Sequence, residues 1–315
     1  MIIEMEKIIE SYSIDQLKDI IYSRISKGKL NNNFDNKIQH LSIKQITEVL
    51  KSKQLFEYGS TSSKDYFEIK DQEVLNDADS VVAIITSDQI QDNSDGTFSL
   101  RSHEFGDSYN LCSDEKYREQ PVVAFCSGVL INSDVIATTG HCINSINLSE
   151  IRFIFGFKLN SINETNIVFN NSEIYKGKKI INRILTDNGQ DYALVKLDKQ
   201  VMNHKISRIR IDGKISDNAK VHVIGHPCGL PLKVGDNAII KDNDNESYFV
   251  ANLDTYGGNA GSPVFNSNTH EIEGILARGE TDFISIGTCY ESLICPTIGC
   301  KGVHCTRTTG FSHLL

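Results

Sequence analysis

The chain has 315 residues, of which 39% are hydrophobic and 23% charged, and its net charge is -9. That length is enough for one large domain, or for one domain with a small appendage. The acidic balance and the lack of any Lys/Arg-rich run exclude nucleic acid and anionic membrane as electrostatic partners.

The N-terminal sequence MIIEMEKIIESYS mixes glutamates into its apolar residues, unlike a secretory signal, and no apolar run is long enough to cross a bilayer. We therefore expect no membrane segment and a cytoplasmic protein. Secretion by a route that the sequence does not show is the alternative.

Two helices are predicted within residues 1–60. Ser13 with Gln16, and Ser42 with Gln45, have the spacing of a capping box, and apolar residues then recur at helical steps. We interpret residues 1–60 as a small helical region that acts as an inhibitory prodomain, or as a regulatory adaptor that binds a partner protein. The simpler alternative is that these helices only pack on the rest of the chain.

Residues 61–77 are predicted to be a linker, because they continue the polar stretch YGSTSSKDY. Lys64 and Lys70 suggest self-cleavage there. The pattern over 78–315 is strand-like instead, with many short runs of β-branched and aromatic residues. The predicted strands are 80–86, 122–125, 128–131, 134–139, 151–157, 192–197, 220–225, 248–253 and 271–277. Such a pattern favours a sandwich or a pair of barrels over a parallel α/β sheet.

Three separated segments suggest one catalytic site. GHC contains His141, DYALVKL begins at Asp191, and GNAGSP covers residues 258–263. Each residue alone has a simpler explanation, such as a packed histidine or an aspartate that begins a strand. Together they have the order histidine, aspartate, nucleophile that is found in one of the known Ser-His-Asp arrangements, but Ala260 occupies the nucleophile position.

These motifs resemble those of the trypsin-like (chymotrypsin-fold) serine peptidases. GHC is similar to the family's AHC, DYALVKL to DIALLKL, and GGNAGSPVF to GDSGGPVV with alanine at the nucleophile. GNxGSPVF and GHPCGLP look closest to bacterial, glutamyl-endopeptidase-like members. The resemblance covers about residues 78–300 and implies an all-β fold of two six-stranded antiparallel barrels, here preceded by the small helical region. It also implies cleavage of peptide bonds in protein substrates through an acyl-enzyme, with no cofactor and no metal.

The resemblance implies a role for each matched residue. His141 is the general base, Asp191 orients its imidazole, and position 260 carries the attacking atom. The backbone N–H groups of Gly258 and residue 260 form the oxyanion hole. Ser262 lies where the family has glycine, so we do not expect it to replace the missing nucleophile.

Two explanations of Ala260 remain open: an engineered Ser→Ala change in an active protease, or a natural pseudo-protease that binds without cutting. A buried Asp–His pair is costly to maintain unless it is used. Because this pair and the glycines of the loop are retained, we expect the engineered change.

The residue six positions before the nucleophile lies at the base of the specificity pocket in the family. Here it is Asp254, which favours Lys or Arg before the cleaved bond. Leu276 stands where glutamyl-specific relatives have a histidine, which counts against acidic specificity. The other residues expected to line the pocket are Thr255, Ala277, Arg278 and Gly279.

The chain has eight cysteines. Cys126 and Cys142 match the disulfide that closes the histidine loop in the family. A C-terminal group has no common zinc-module spacing, so disulfides, free thiols and a metal site all stay open for it. Its members are Cys289, Cys295, Cys300 and Cys305, with His304 adjacent.

Overall fold

A computed structural model describes residues 12–13, 16–17, 20, 41–42, 45–46, 49, 63–144, 148–164, 166–186, 189–253, 258–279, 283–292 and 302–315. Within residues 63–315, the described part contains three short α-helices: α1 Gln72–Ala78, α2 Phe105–Ser108 and α3 Gly140–Asn144. The strands, in chain order, are β1 Lys64–Asp65, β2 Val81–Thr86, β3 Ile90–Asp92, β4 Thr97–Leu100, β5 His103–Glu104, β6 Pro121–Val122, β7 Cys126–Asn132, β8 Val135–Thr138, β9 Ile151–Phe155, β10 Phe169–Asn170, β11 Ile174–Leu185, β12 Asp191–Leu197, β13 Lys220–Gly225, β14 Lys233–Asp242, β15 Tyr248–Ala251, β16 Pro263–Asn266, β17 Ile272–Arg278, β18 Phe283–Ser285, β19 Tyr290–Ser292 and β20 Val303–Arg307.

The first barrel is closed by six strands in the order β11-β12-β8-β7-β2-β9. All neighbouring strands are antiparallel. β2 and β12 consist mainly of β-branched and other apolar residues that are almost entirely buried, as their apolar sequences predict. Closure leaves no free sheet edge that another chain could extend.

The second barrel has the order β14-β13-β16-β17-β20-β15, and β14 pairs with β15 to close the ring. β1 adds a short seventh strand beside β14. The predicted fold class is therefore confirmed: the protein has two six-stranded antiparallel barrels and few helices in its described part, which is the chymotrypsin-like double barrel.

One hydrophobic cluster joins the two barrels. Tyr192 and Leu194 of β12 pack in it with Ile224 of β13 and Phe265 of β16. The ring of Tyr192 lies 5.0 Å from that of Phe311 near the C-terminus. Because the core is shared, the segments on either side of the barrel interface are held at fixed positions.

Within the segment 61–77, which was predicted to be a linker, Lys64–Asp65 form β1 beside β14 of the second barrel and α1, Gln72–Ala78, begins. Lys64 pairs with Val234 of β14, and the carboxylate of Asp65 is 2.5 Å from the buried ammonium of Lys233. Asp71 then caps α1. Lys64, one of the two predicted self-cleavage positions, is thus within a paired strand. The polar composition did not reveal this, since the partners of the segment lie far away in sequence.

Ten residues are described within positions 1–60, and they include both predicted capping boxes. The Ser13 hydroxyl accepts from the backbone N–H of Gln16 at 3.1 Å, and the Ser42 hydroxyl accepts from the backbone N–H of Gln45 at 3.2 Å. Leu17, in the first turn after Ser13, is fully buried. The two helix starts are therefore confirmed. Among the described helices, none has the length and apolar character needed to cross a membrane.

Candidate active site

His141 and Asp191, fifty residues apart in sequence, form a direct side-chain pair. Nδ1 of His141 lies 2.6 Å from Oδ2 of Asp191, and the backbone N–H of His141 donates to Oδ1 at 3.1 Å. The aspartate side chain is 1% exposed and the imidazole 41% exposed. A carboxylate bound to Nδ1 orients the ring and leaves Nε2 for a reacting group.

The backbone around this pair is held from both barrels. The Thr306 hydroxyl, on β20 of the second barrel, accepts from the Asp191 N–H and donates to the Asp191 carbonyl, each at 3.1 Å. Nε of Arg183 donates to the Gly140 carbonyl at 2.7 Å. A Cβ at Gly140 would lie 2.5 Å from the Ile184 carbonyl oxygen and 3.2 Å from Oδ1 of Asp191, so glycine permits the close approach. No motif in the sequence identified Thr306 or Arg183.

The loop 258–263 depends on two glycines with left-handed backbone. Gly258 has φ +84° and Gly261 φ +88°. A Cβ at Gly258 would lie 2.9 Å from the Cys228 nitrogen, and one at Gly261 would lie 2.0 Å from the Ser127 carbonyl oxygen. No other residue type fits at either position without displacing backbone.

Ala260 lies against the first barrel, beside the histidine segment. Its carbonyl accepts from the Ser127 N–H at 2.8 Å, and the Cys142 sulfur is 3.9 Å from the same oxygen. Its methyl group packs against the core that includes Cys142. The three sequence motifs therefore meet at the junction of the barrels.

Ser262 uses its hydroxyl in a buried hydrogen bond to Asn259. Its side chain is fully buried, and its hydroxyl donates to Oδ1 of Asn259 at 2.7 Å. A Cβ at Gly225 would come within 1.8 Å of this hydroxyl, so the group is tightly enclosed. The acceptor, Asn259, is a neutral side chain, so the hydroxyl of Ser262 has no charged partner in this contact.

Two of the predicted pocket residues, Asp254 and Thr255, lie outside the described residues. The other three follow one another at the end of β17: Ala277, Arg278 and Gly279. β17 runs beside the loop 258–263, since the Gly261 N–H donates to the Leu276 carbonyl at 2.8 Å. Ala277 is buried, whereas Arg278 is exposed and its Nη2 lies 3.3 Å from the Thr186 carbonyl oxygen.

Two disulfides are present in the described part of the chain. One joins Cys126 to Cys142, as the family resemblance implied, and so ties β7 to the histidine segment. The other joins Cys112 to Cys289. No sequence argument had singled out Cys112.

The C-terminal cysteines do not act as one group. Cys289 is bonded to Cys112, whereas Cys305 is a buried free thiol, and burial raises its pKa. Cys295 and Cys300 lie outside the described residues. Cys305 therefore remains a protonated thiol, which is a poor metal ligand. The sulfurs near His141 are also not available to a metal, because they are joined to each other.

Residues 126–275 match the family model of the trypsin-like peptidase domain, a little under half of the chain. The match includes His141, Asp191 and the loop 258–263. Among solved structures, the VesB protease of Vibrio cholerae is similar, with 17% identity and a TM-score of 0.49. That alignment covers 80% of this chain and 64% of the VesB chain, so this chain spans less than two thirds of that protein. No curated protein matches the chain.

Proposed function

We propose that this protein has the site of a serine endopeptidase, which hydrolyses peptide bonds in protein substrates once a serine is present at position 260. The proposal rests mainly on the 2.6 Å contact between Nδ1 of His141 and Oδ2 of Asp191, beside the glycine loop that contains Ala260. The match of residues 126–275 to a trypsin-like peptidase domain supports the same reaction class.

The chemistry follows from this pair. A serine hydroxyl at 260 would attack the peptide carbonyl while Nε2 of His141 takes its proton, and the imidazolium would later protonate the leaving amine. Asp191 would stabilise that imidazolium. The N–H groups of Gly258 and residue 260 would bind the oxyanion. The methyl group of Ala260 has no lone pair, so the present chain stops before the acyl-enzyme.

A second candidate function is a binding module that holds a peptide segment without cutting it. Ala260 itself favours this candidate, because loss of one hydroxyl removes turnover and leaves the cleft and the loop in place. Residues 1–60 would then provide the surface for a partner protein. The engineered origin of Ala260, expected from the sequence, stays a prediction under either function.

For the substrate we propose a Lys or Arg side chain before the cleaved bond. The support is the acidic type of Asp254 and the absence of a histidine at Leu276. A carboxylate at the base of a pocket would favour a cationic side chain by direct charge pairing.

The central experiment is the Ala260→Ser variant. It is incubated with peptides that carry Lys, Arg or Glu before a reporter group, and with a serine-reactive phosphonate. We expect labelling and release of the reporter in the variant, but neither in the parent chain, with the faster release from Lys and Arg peptides.

The matched control is the double variant Ala260→Ser/His141→Ala, which keeps the hydroxyl but removes the base. Its kcat/KM should fall by about 1000-fold or more. A folded single variant that no phosphonate labels would exclude the endopeptidase and favour the binding module. Faster release from Glu peptides would overturn only the specificity.

The two disulfides bear on where the protein works. Disulfides persist in oxidising compartments and are rare in the cytoplasm. We therefore propose that the protein functions outside the reducing cytoplasm. This is the alternative that the sequence left open, whereas a cytoplasmic location was the first expectation. Quantitative alkylation of the protein in its native extract, with Cys112 and Cys126 found as reduced thiols, would contradict this.

A further inference from the structure

A second cluster of chemically active side chains lies at the end of α1, among residues that the proposed reaction does not use. Asp77 of α1 faces two imidazoles: His222 on β13 and His270 in the turn between β16 and β17. Oδ2 of Asp77 is 3.2 Å from Nε2 of His222 and 2.5 Å from Nδ1 of His270. The three ligand atoms all lie within 4.8 Å of one another.

We propose that Asp77, His222 and His270 form a binding site for a divalent transition metal, with Zn²⁺ as the best fit. Two imidazole nitrogens and one carboxylate oxygen are ligands that zinc prefers, and ligand atoms around tetrahedral zinc are separated by about 3.3 Å. The separation of Asp77 and His222 already fits. His270 needs to move outward by less than about 1 Å, and it lies in a partly exposed turn.

The surroundings of His222 support coordination. Its ring is buried and stacked on Phe265, and its Nδ1 is 3.1 Å from the Ser267 hydroxyl. Without metal, Nε2 shares a proton with Asp77; when a metal replaces that proton, the ring keeps its proton on Nδ1 for Ser267 and the Nε2 lone pair binds the metal. A hydrogen bond to the other ring nitrogen is the usual way in which proteins orient a metal-binding imidazole.

Burial and charge explain why the carboxylate is ionised there. Burial opposes ionisation of Asp77, but hydrogen bonds from the two histidines and from Lys205 outweigh it and lower its pKa. The Lys205 ammonium is 3.1 Å from Oδ1, the oxygen that the histidines do not contact. The lysine side chain is 36% exposed, so it can withdraw into solvent when a metal binds to Oδ2. Lys205 is therefore a competing cation.

The sequence showed no such site, because its ligands are separated by 145 and 193 residues from Asp77. A bound metal would join α1 to β13 and to the turn between β16 and β17. Metal binding would thus stabilise the packing of α1 against the second barrel. The inference does not depend on the proposed peptidase reaction.

The test uses the full chain after removal of metal with a chelator. Zn²⁺ is titrated by calorimetry, and Co²⁺ is added for its visible spectrum. We expect one Zn²⁺ per chain, a thermal midpoint that rises with zinc concentration, and a cobalt spectrum without sulfur charge-transfer absorption.

Three variants locate the site. His270→Asn keeps a residue that tolerates the φ of +55° and should weaken zinc binding by about 100-fold, since loss of an outer-shell partner alone costs 10- to 100-fold. Lys205→Met removes the competing charge and should tighten binding by about tenfold. His103→Asn, an exposed histidine on β5, is the control and should leave binding unchanged.

Several outcomes would overturn the proposal. They are no saturable binding by the parent chain, equal binding by a cooperatively unfolding His270→Asn variant, weaker binding by Lys205→Met, or cobalt bands that report thiolate ligands. The last result would assign the metal to cysteines instead.

Discussion

At the scale of single residues, the geometry of the His141–Asp191 pair depends on groups outside the pair. Thr306 satisfies both backbone groups of Asp191 with one fully buried hydroxyl. Arg183 binds the carbonyl of Gly140, the residue before the candidate base. A buried N–H or carbonyl that loses its partner costs about 1–3 kcal/mol, so such positioning residues have a measurable effect.

We expect Thr306→Val to reduce the free energy of unfolding by about 1–3 kcal/mol, because both backbone groups of Asp191 lose their partner. In the Ala260→Ser background, kcat should fall while KM changes little, since Thr306 is fully buried and out of reach of a bound peptide. Urea unfolding and steady-state kinetics measure the two effects. Thr306→Ser keeps the hydroxyl and is the control, and a valine variant as stable as the serine variant would contradict the assignment.

At the scale of elements, β1 is held to the second barrel by a buried ion pair. The Lys233 ammonium contacts Asp65 and the Gln120 side chain, and lies 4.7 Å from the centre of the Tyr117 ring. Burial lowers the pKa of Lys233 to about 8, although the nearby Asp65 charge opposes the shift. Removing one member of such a pair leaves an uncompensated charge in the interior.

Lys233→Met should therefore destabilise the fold by about 3–5 kcal/mol, as unpaired buried charges do. Adding Asp65→Asn removes the carboxylate that lost its partner, so the double variant should be more stable than Lys233→Met alone. Lys64→Ala breaks the more exposed pair with Asp236 and should cost at most about 1 kcal/mol. Urea unfolding of all three variants decides this. If Lys233→Met and Lys64→Ala reduced the free energy of unfolding equally, the buried pair would contribute no more to stability than the exposed pair.

At the scale of the whole molecule, His204 connects the chain between the two barrels to two distant carboxylates. His204 lies between β12 and β13, and its two ring nitrogens are 2.9 Å from Asp79 and 2.7 Å from Glu173. Its ring stacks on Phe155 at 4.1 Å. Burial disfavours the charged imidazole, but the hydrogen bonds and charges of the two carboxylates outweigh it and raise the pKa of His204 above 6.5.

A raised folded-state pKa makes this contribution depend on pH in a definite direction. It is fully present below the unfolded value of 6.5 and is lost as the pH rises through the higher folded value. We expect the parent chain to lose more stability than His204→Gln between about pH 6 and about pH 9. Titration of Lys233 is common to both proteins and cancels in the comparison. Parallel stability curves for the two proteins would contradict the assignment.

The strand pattern was only partly predictable from the sequence. Runs such as 80–86 and 192–197 are apolar enough to be recognised, and they form β2 and β12. β11, the longest strand, was missed because most of its residues are exposed or half-buried and many are charged. Of the predicted strand 122–125, only Val122 lies in a strand, β6, because the N–H groups of Val123 and Ala124 donate to the Gly229 carbonyl in a loop.

The strand pattern by itself determined an all-β fold, and the capping boxes determined the helix starts at Ser13 and Ser42. The resemblance of three motifs to trypsin-like peptidases implied the double barrel and the meeting of His141, Asp191 and the loop 258–263. These depend on local composition and on motifs whose order can be read along the chain. Only the tertiary structure decided that Thr306 holds Asp191, 115 residues away, and that Lys233 anchors Asp65, 168 residues away. Such partners share no periodicity or motif, because a hydrogen bond or an ion pair requires only that two groups be close once the barrels have formed.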